Sequence, residues 1–374
     1  MNSRERVRAA MSLQNPDRTP VMCQMSIGHM LQQLKVSPVN FWFDEDTFIR
    51  GLIELRQVYG FDGILISLHG HDPSWSRHVL SRMKEPDGEK VVFDDGTEMS
   101  FPNNDLPQLI SADRPKPAIG DIDPDSLPDL LDYIPVSQGL HFHINPANKF
   151  GAIEKIVGRA GADFSIHGEI TSPFDYFLDL IGHQEGLIAL IDEPEKSKKI
   201  LGHFTRLISQ LAVEMCATKI DAIKLSSPFA GEGFISPDFY SEFVLPFEAE
   251  IVRAIRSQGV HAYIHTCGAI GDRLQMMYDA GISGLECLDP PPLGDVELDA
   301  AIEAARGKGF IKGNVDSVNT LLRGTEDLIL ADARKRLEIG KKGSGFILST
   351  ACSIAPAVKR ENILLLKEAV ERWG

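Results

Sequence analysis

A chain of 374 residues, 43% of them hydrophobic, has ample material for a large core. Its formal charge of −15 and the absence of a basic tract argue against a nucleic-acid partner, and no apolar run reaches the ~18 residues of a membrane span. Five cysteines are too few, and odd in number, for a disulfide framework; the charged opening "MNSRERVRAAMSLQNPDRTP" has no apolar signal segment, so a cytoplasmic protein is expected.

In chain order, one unit recurs: a helical pattern, a glycine, a short loop and a short apolar run, as in "ELRQVYGFDGILIS", "KIVGRAGADFSIHG" and "IRSQGVHAYIHT". Glycine ends helices because it accepts the left-handed conformation. An apolar run of about four residues suits a strand buried on both faces. Eight runs are expected as strands: "TPVMCQM", "GILIS", "DFSIHG", "AIKLSS", "AYIHT", "GLECL", "FIKGN" and "FILST". Between them fall helical patterns such as "SPDFYSEFVLPFEAEIVRAIRSQG", with Ser236 as N-cap and Pro237 in the first turn. Strands alternating with helices pair in parallel, and eight units predict an α/β fold built as a single (β/α)8 TIM barrel over residues 1–374. An open doubly wound sheet is the alternative. Residues from about 84 to 145, between the second and third strands, read as an insertion with a β-hairpin turning at Asp95–Gly96. Within it, "GLHFHIN" carries His141 and His143, which suit a surface or lid position.

In such a barrel the active site gathers at the C-terminal ends of the strands. Reading off those ends gives His69 and His71 after the second run and His167 and Glu169 after the third. His265 and Cys267 follow the fifth, Glu286, Cys287 and Asp289 the sixth, Asn314 and Asp316 the seventh, and Cys352 the eighth. His265 and Cys267 stand two apart, so in a strand they face one side. With Cys352 they make a nitrogen-and-two-sulfur set suited to zinc, although His-x-Cys alone is equally compatible with core packing. Cys23, Cys216 and Cys287 are expected as packed thiols. His69, Tyr176, Asp289 and Asn314 are candidates for a substrate pocket.

The stretches "MNSRERVRAAMSLQNPDRTPV", "SPDFYSEFVLPFEAEIVRAI", "KGNVDSVNTLLRGTEDLI" and "GSGFILSTACSIAPAVKRENI" resemble the uroporphyrinogen decarboxylase superfamily over nearly the full length. That resemblance implies a single TIM barrel with its site at the C-terminal mouth. The decarboxylase branch carries an arginine after the first strand, an aspartate near the end of the second and a histidine after the last. Here those places read "CQMSIGHM", Ser67 and Cys352. The other branch, zinc methyltransferases of corrinoid-dependent methyl metabolism, has His-x-Cys and a distant cysteine after the last strand, matched by His265, Cys267 and Cys352. The resemblance implies a Zn2+ cofactor, with Glu169 as the preferred fourth ligand and His167 beside it, these two being the candidate catalytic residues. It implies methyl transfer between a small-molecule donor or thiol acceptor and a corrinoid (cobalamin) carried by a partner protein, in either direction. It also implies a homodimer. Two other readings stay open: a metal-free lyase acting on a porphyrin-like acid, and a noncatalytic metal- or tetrapyrrole-binding protein.

Overall fold

The computed structural model describes residues 1–67, 71–110, 116–136, 140–343 and 345–374. Its strands are β1 (Gly63–Ile66), β2 (Val79–Glu85), β3 (Gly88–Phe93), β4 (Glu98–Pro102), β5 (Gln108–Leu109), β6 (Tyr133–Pro135), β7 (His141–His143), β8 (Ser165–Thr171), β9 (Ala222–Ser226), β10 (His261–Thr266), β11 (Gly284–Cys287), β12 (Phe310–Val315) and β13 (Phe346–Thr350). Among the described residues, β1 and β8 to β13 form a seven-stranded parallel sheet in sequence order, with helices in most crossovers. This is the arrangement that short apolar runs alternating with amphipathic helices favour, because each strand buries both faces.

The expected first strand differs. Residues 20–25 run between the two edges of the curled sheet but form only isolated parallel bridges, Val21 with Leu348 and Met25 with Ile354. On the other edge the Asp62 N–H donates to the Val21 carbonyl (2.8 Å). The reason is local. Pro20 has no N–H to give, and the Val21 N–H goes to the Asp62 carboxylate (2.9 Å) instead of a neighbouring strand.

Asp62 is fully buried and gathers the N-terminal part of the chain. It accepts from Arg6 Nη1 (2.7 Å), from Arg18 Nη1 and Nη2 (3.0 Å each) and from Ser3 Oγ (2.8 Å). The helix Ser3–Met11, begun by a capping box between Asn2 and Glu5, thereby closes one end of the sheet. Its Val7, Ala10 and Met11 pack with Met22, Ala222, Tyr263, Phe310 and Ile347 in a separate buried apolar cluster. The remaining core lies mostly between the sheet and its outer helices.

Between β1 and β8 the chain forms an antiparallel sheet ordered β2-β3-β4-β5, whose β3–β4 turn contains Gly96 at φ +84°. Pairing begins at Val79, ahead of the expected residue 84. Strands β6 and β7 pair separately, and Thr171 Oγ1, at the end of β8, donates to the Pro135 carbonyl of β6 (3.4 Å). The excursion therefore covers the C-terminal end of β8. His141 and His143 lie exposed on β7, with His141 Nε2 3.0 Å from Asp179.

The long pattern from Ser236 becomes two helices, Pro237–Phe243 and Leu245–Ser257, broken at Val244. Ser236 caps the first, as expected. Pro246, in the first turn of the second, cannot continue the helix begun at Pro237, because its ring clashes with a preceding carbonyl.

Candidate metal centre

Strand β10 carries His265 as its penultimate residue, and Cys267 follows directly. The chain then turns at Gly268, at φ +76°, a conformation glycine adopts without strain. The Gly231 loop packs onto this turn so closely that a β-carbon there would lie 2.6 Å from the Cys267 carbonyl. Cys352 arrives from the bend after β13.

The three side chains converge. His265 Nε2 lies 3.3 Å from Cys267 Sγ, and Cys267 Sγ lies 4.0 Å from Cys352 Sγ. All three donor atoms fall within 4.8 Å of one another. A tetrahedral zinc with bonds of about 2.3 Å to sulfur and about 2.05 Å to nitrogen separates its sulfurs by about 3.8 Å and nitrogen from sulfur by about 3.6 Å. The donor types and spacings therefore fit Zn2+. Hydrogen bonding from the Cys267 thiol, then from that of Cys287, holds the Cys352 thiol well below its ordinary range, and thiolate is the ligating form.

Behind the histidine stands a charged group that the sequence reading passed over. His265 Nδ1 faces Glu286 Oε2 at 3.0 Å, and the other oxygen of Glu286 takes the Lys312 ammonium. Lys224 Nζ lies 3.8 Å from Glu286, 2.5 Å from Glu169 and 2.8 Å from Gln24 Oε1. Lys224 and Lys312 are fully buried and Glu286 nearly so. Burial alone would raise the Glu286 carboxyl; Lys312 first and Lys224 second hold it well below the usual carboxylate range. Burial would likewise lower Lys224, but Glu169 and Glu286 outweigh it and raise it. The signal was present in "AIKLSS", "GLECL" and "FIKGN": a charged residue inside an apolar strand run needs a buried partner of opposite sign.

The other candidates are dispersed. Glu169 points its carboxylate at Lys224 and, with Cys23, Gln24 and Ser67, lines a small cavity of about 30 Å³. It is not in the three-residue donor group. His167 is fully buried, with Nε2 3.0 Å from Ser165 Oγ and Nδ1 3.0 Å from Tyr263 Oη, so both ring nitrogens are engaged inside the sheet. Tyr176 is buried, donates to the Tyr133 carbonyl (2.7 Å) and stacks on Phe204, a packing role. Asn314 is buried and donates to the Leu288 carbonyl (2.8 Å) while accepting from Arg336. His69 lies outside the described residues.

Asp289 sits beside the donor group. Its Oδ2 accepts from the Gly268 N–H (2.7 Å), next to Cys267, and from Cys287 Sγ (3.2 Å). The chain reaches this place through two consecutive left-handed residues, Cys287 at φ +83° and Leu288 at φ +59°. Such strain in non-glycine residues costs about 1–3 kcal/mol each and gathers at functional sites. Cys287 itself is fully buried, and burial raises its thiol well above the ordinary range.

A parallel sheet with helical crossovers, bearing a soft donor set at the C-terminal ends of β10 and β13, defines an α/β protein with a candidate zinc centre. The profile of the family Uroporphyrinogen decarboxylase (URO-D) matches residues 144–373, and the chain belongs to that family. Among its relatives, Methylcobamide:CoM methyltransferase MtaA of Methanosarcina barkeri is 28% identical over 222 residues, 59% of this chain and 62% of that protein. Methylcobamide:CoM methyltransferase MtbA of Methanosarcina acetivorans is 25% identical over 227 residues, 61% of each chain. Uroporphyrinogen decarboxylase of Pelodictyon phaeoclathratiforme is 27% identical over 187 residues, 48% of this chain and 50% of that protein. The match thus spans less than two thirds of each curated relative. A solved structure described as a methyltransferase from Methanosarcina mazei superposes with a TM-score of 0.74, covering 100% of this chain and 99% of that one. At 20% identity it shows a shared fold.

Proposed function

We propose that this protein binds Zn2+ through His265, Cys267 and Cys352 and transfers a methyl group between a small-molecule donor or thiol acceptor and a corrinoid borne by a partner protein. The observation that carries the reading is the convergence of one imidazole nitrogen and two sulfurs at 3.3 and 4.0 Å, with Cys267 and Cys352 85 residues apart in sequence. The printed names of the methylcobamide methyltransferase relatives support the reaction class. Two thiolates and one neutral imidazole compose a site with one position left for a reactant.

Zinc bound there would supply charge that keeps a coordinated thiol deprotonated or polarises the group bearing the methyl. The chain's own residues prepare the place. Cys352 offers a sulfur whose thiol is held below its ordinary range by hydrogen bonding from Cys267 and Cys287. Asp289 fixes the turn after Cys267 through the Gly268 amide, and Gly231 lets the neighbouring loop press against it. Glu169 at the mouth is the carboxylate available as a fourth ligand or as a contact to the substrate, at the cost of its pairing with Lys224.

The first test is metal content after purification without added metal, in the wild type and in Cys352→Ser. About one zinc per chain is expected in the wild type and much less in the variant. Methyl transfer from methylcobalamin to a small thiol is then expected only from the loaded wild type. No zinc in either protein, even when the metal is supplied to reduced chains, overturns the reading.

A further inference from the structure

Strands β10 and β11 are parallel neighbours in which His265 stands opposite Glu286, so the two side chains rise from one face of the sheet. Glu286 uses its two oxygens differently: Oε2 meets His265 Nδ1 at 3.0 Å, and Oε1 meets Lys312. A carboxylate only accepts hydrogen bonds, so the proton between Glu286 and the imidazole belongs to Nδ1. In the neutral ring that a metal requires, this leaves the lone pair on Nε2, the nitrogen 3.3 Å from Cys267 Sγ. Turning the ring over would put carbon where each nitrogen now stands, breaking the contact with Glu286 and taking Nε2 away from Cys267.

The carboxylate is itself clamped. Lys312 lies 5.4 Å from the Tyr263 ring centroid, within cation–π range, and Lys224 lies 3.8 Å from Oε2, the oxygen that faces His265, while anchored to Glu169 and Gln24. Two buried lysines with a buried glutamate and the partly exposed Glu169 are a poor way to stabilise a core, since well-packed apolar residues serve as well or better. What apolar residues cannot do is accept a hydrogen bond from the back of a metal-binding imidazole.

We propose that Glu286 is a positioning residue for the metal centre, with Lys312 and Lys224 as its clamp: it selects the Nε2-ligating tautomer of His265, holds the ring plane and strengthens the imidazole as a donor. The proposal rests on His265, Cys267 and Cys352 being the zinc ligands. Partners of this kind behind a ligating histidine change metal affinity about 10- to 100-fold when removed.

The experiment measures zinc affinity by competition with a chromophoric chelator, in the wild type, Cys352→Ser and Glu286→Gln. X-ray absorption at the zinc edge reads the ligand set. Glu286→Gln is expected to keep two sulfurs on the metal and to weaken binding about 10- to 100-fold. Should that variant not fold, the Glu286→Gln, Lys312→Met pair removes both charges together, and the same loss is expected. An affinity within twofold of wild type in a folded variant overturns the proposal, and so does loss of an oxygen ligand, which would make Glu286 part of the coordination sphere. Nitrogen-15 histidine spectra of the zinc-loaded wild type give an independent reading: zinc on Nε2 and a slowly exchanging proton on Nδ1 are expected, and zinc on Nδ1 overturns the proposal. If wild type binds no zinc, or Cys352→Ser binds as tightly as wild type, the metal centre itself fails.

Discussion

Asp175 shows how a single buried group adds a pH dependence. It lies in the first turn of the helix Pro173–Ile181, accepts from Ser172 Oγ and is buried. Burial pushes its carboxyl up to about 8; the Ser172 hydrogen bond opposes this and the Glu248 carboxyl adds to it. The folded chain therefore keeps a proton that the unfolded chain releases near 3.8. The stability Asp175 contributes is full at low pH, below that unfolded value, and is lost as pH rises towards about 8. In Asp175→Asn the decline of the urea midpoint from about pH 5 to about pH 8 is expected to be shallower than in wild type; an unchanged slope would show that the carboxyl is ionised throughout. At this scale the candidate donor set of His265, Cys267 and Cys352 was legible from residue type and placement at strand ends, and the three donor atoms lie within 4.8 Å of one another. Glu286, Lys224 and Lys312 were not read as a group, because their meaning lies in pairing across three adjacent strands. His167 and Tyr176 looked like site residues from their position in the chain, but their polar atoms are satisfied by Ser165, Tyr263 and Tyr133.

At the scale of elements, Asp62 joins the helix Ser3–Met11, the segment 20–25 and the start of β1. Replacing it by alanine takes the shared carboxylate from Arg6 and Arg18 and leaves the buried Val21 N–H without its acceptor. Asp62→Ala is expected to lose ~3–5 kcal/mol of unfolding free energy, measured by urea titration, whereas Asp62→Asn, which keeps one acceptor, should lose less. A loss below about 1 kcal/mol in the alanine variant would mean that this junction does not hold the edges of the sheet together. Seven of the apolar runs became strands of the parallel sheet, since runs bounded by glycine turns have few other uses. The run at residues 20–25 did not, because a side chain took the Val21 N–H that a strand would have spent on its neighbour. The break at Val244 follows from Pro246 and was visible in the residues, but hydrophobic periodicity runs through it.

For the molecule as a whole, a metal held between β10 and the end of β13 ties together segments 85 residues apart, counted from Cys267 to Cys352. Binding to the folded state alone raises stability by about 2.7 kcal/mol at a free zinc concentration 100 times Kd. The Tm is therefore expected to climb with zinc and fall on chelation in the wild type, and to be nearly independent of zinc in Cys352→Ser. A wild-type Tm that ignores chelator would show that the triad is not a folding-linked metal site. No helix among the described residues is long and apolar enough to cross a membrane. From sequence alone came the alternation of strand and helix, the three candidate soft donors and their placement at strand ends, because periodicity and residue type are local properties. The tertiary structure decided what stands behind them: which nitrogen of His265 faces the sulfurs, which carboxylate holds it, and that Asp289 supports the turn after Cys267. Those are distances between strands that neighbour one another only after folding, and no spacing along the chain encodes them.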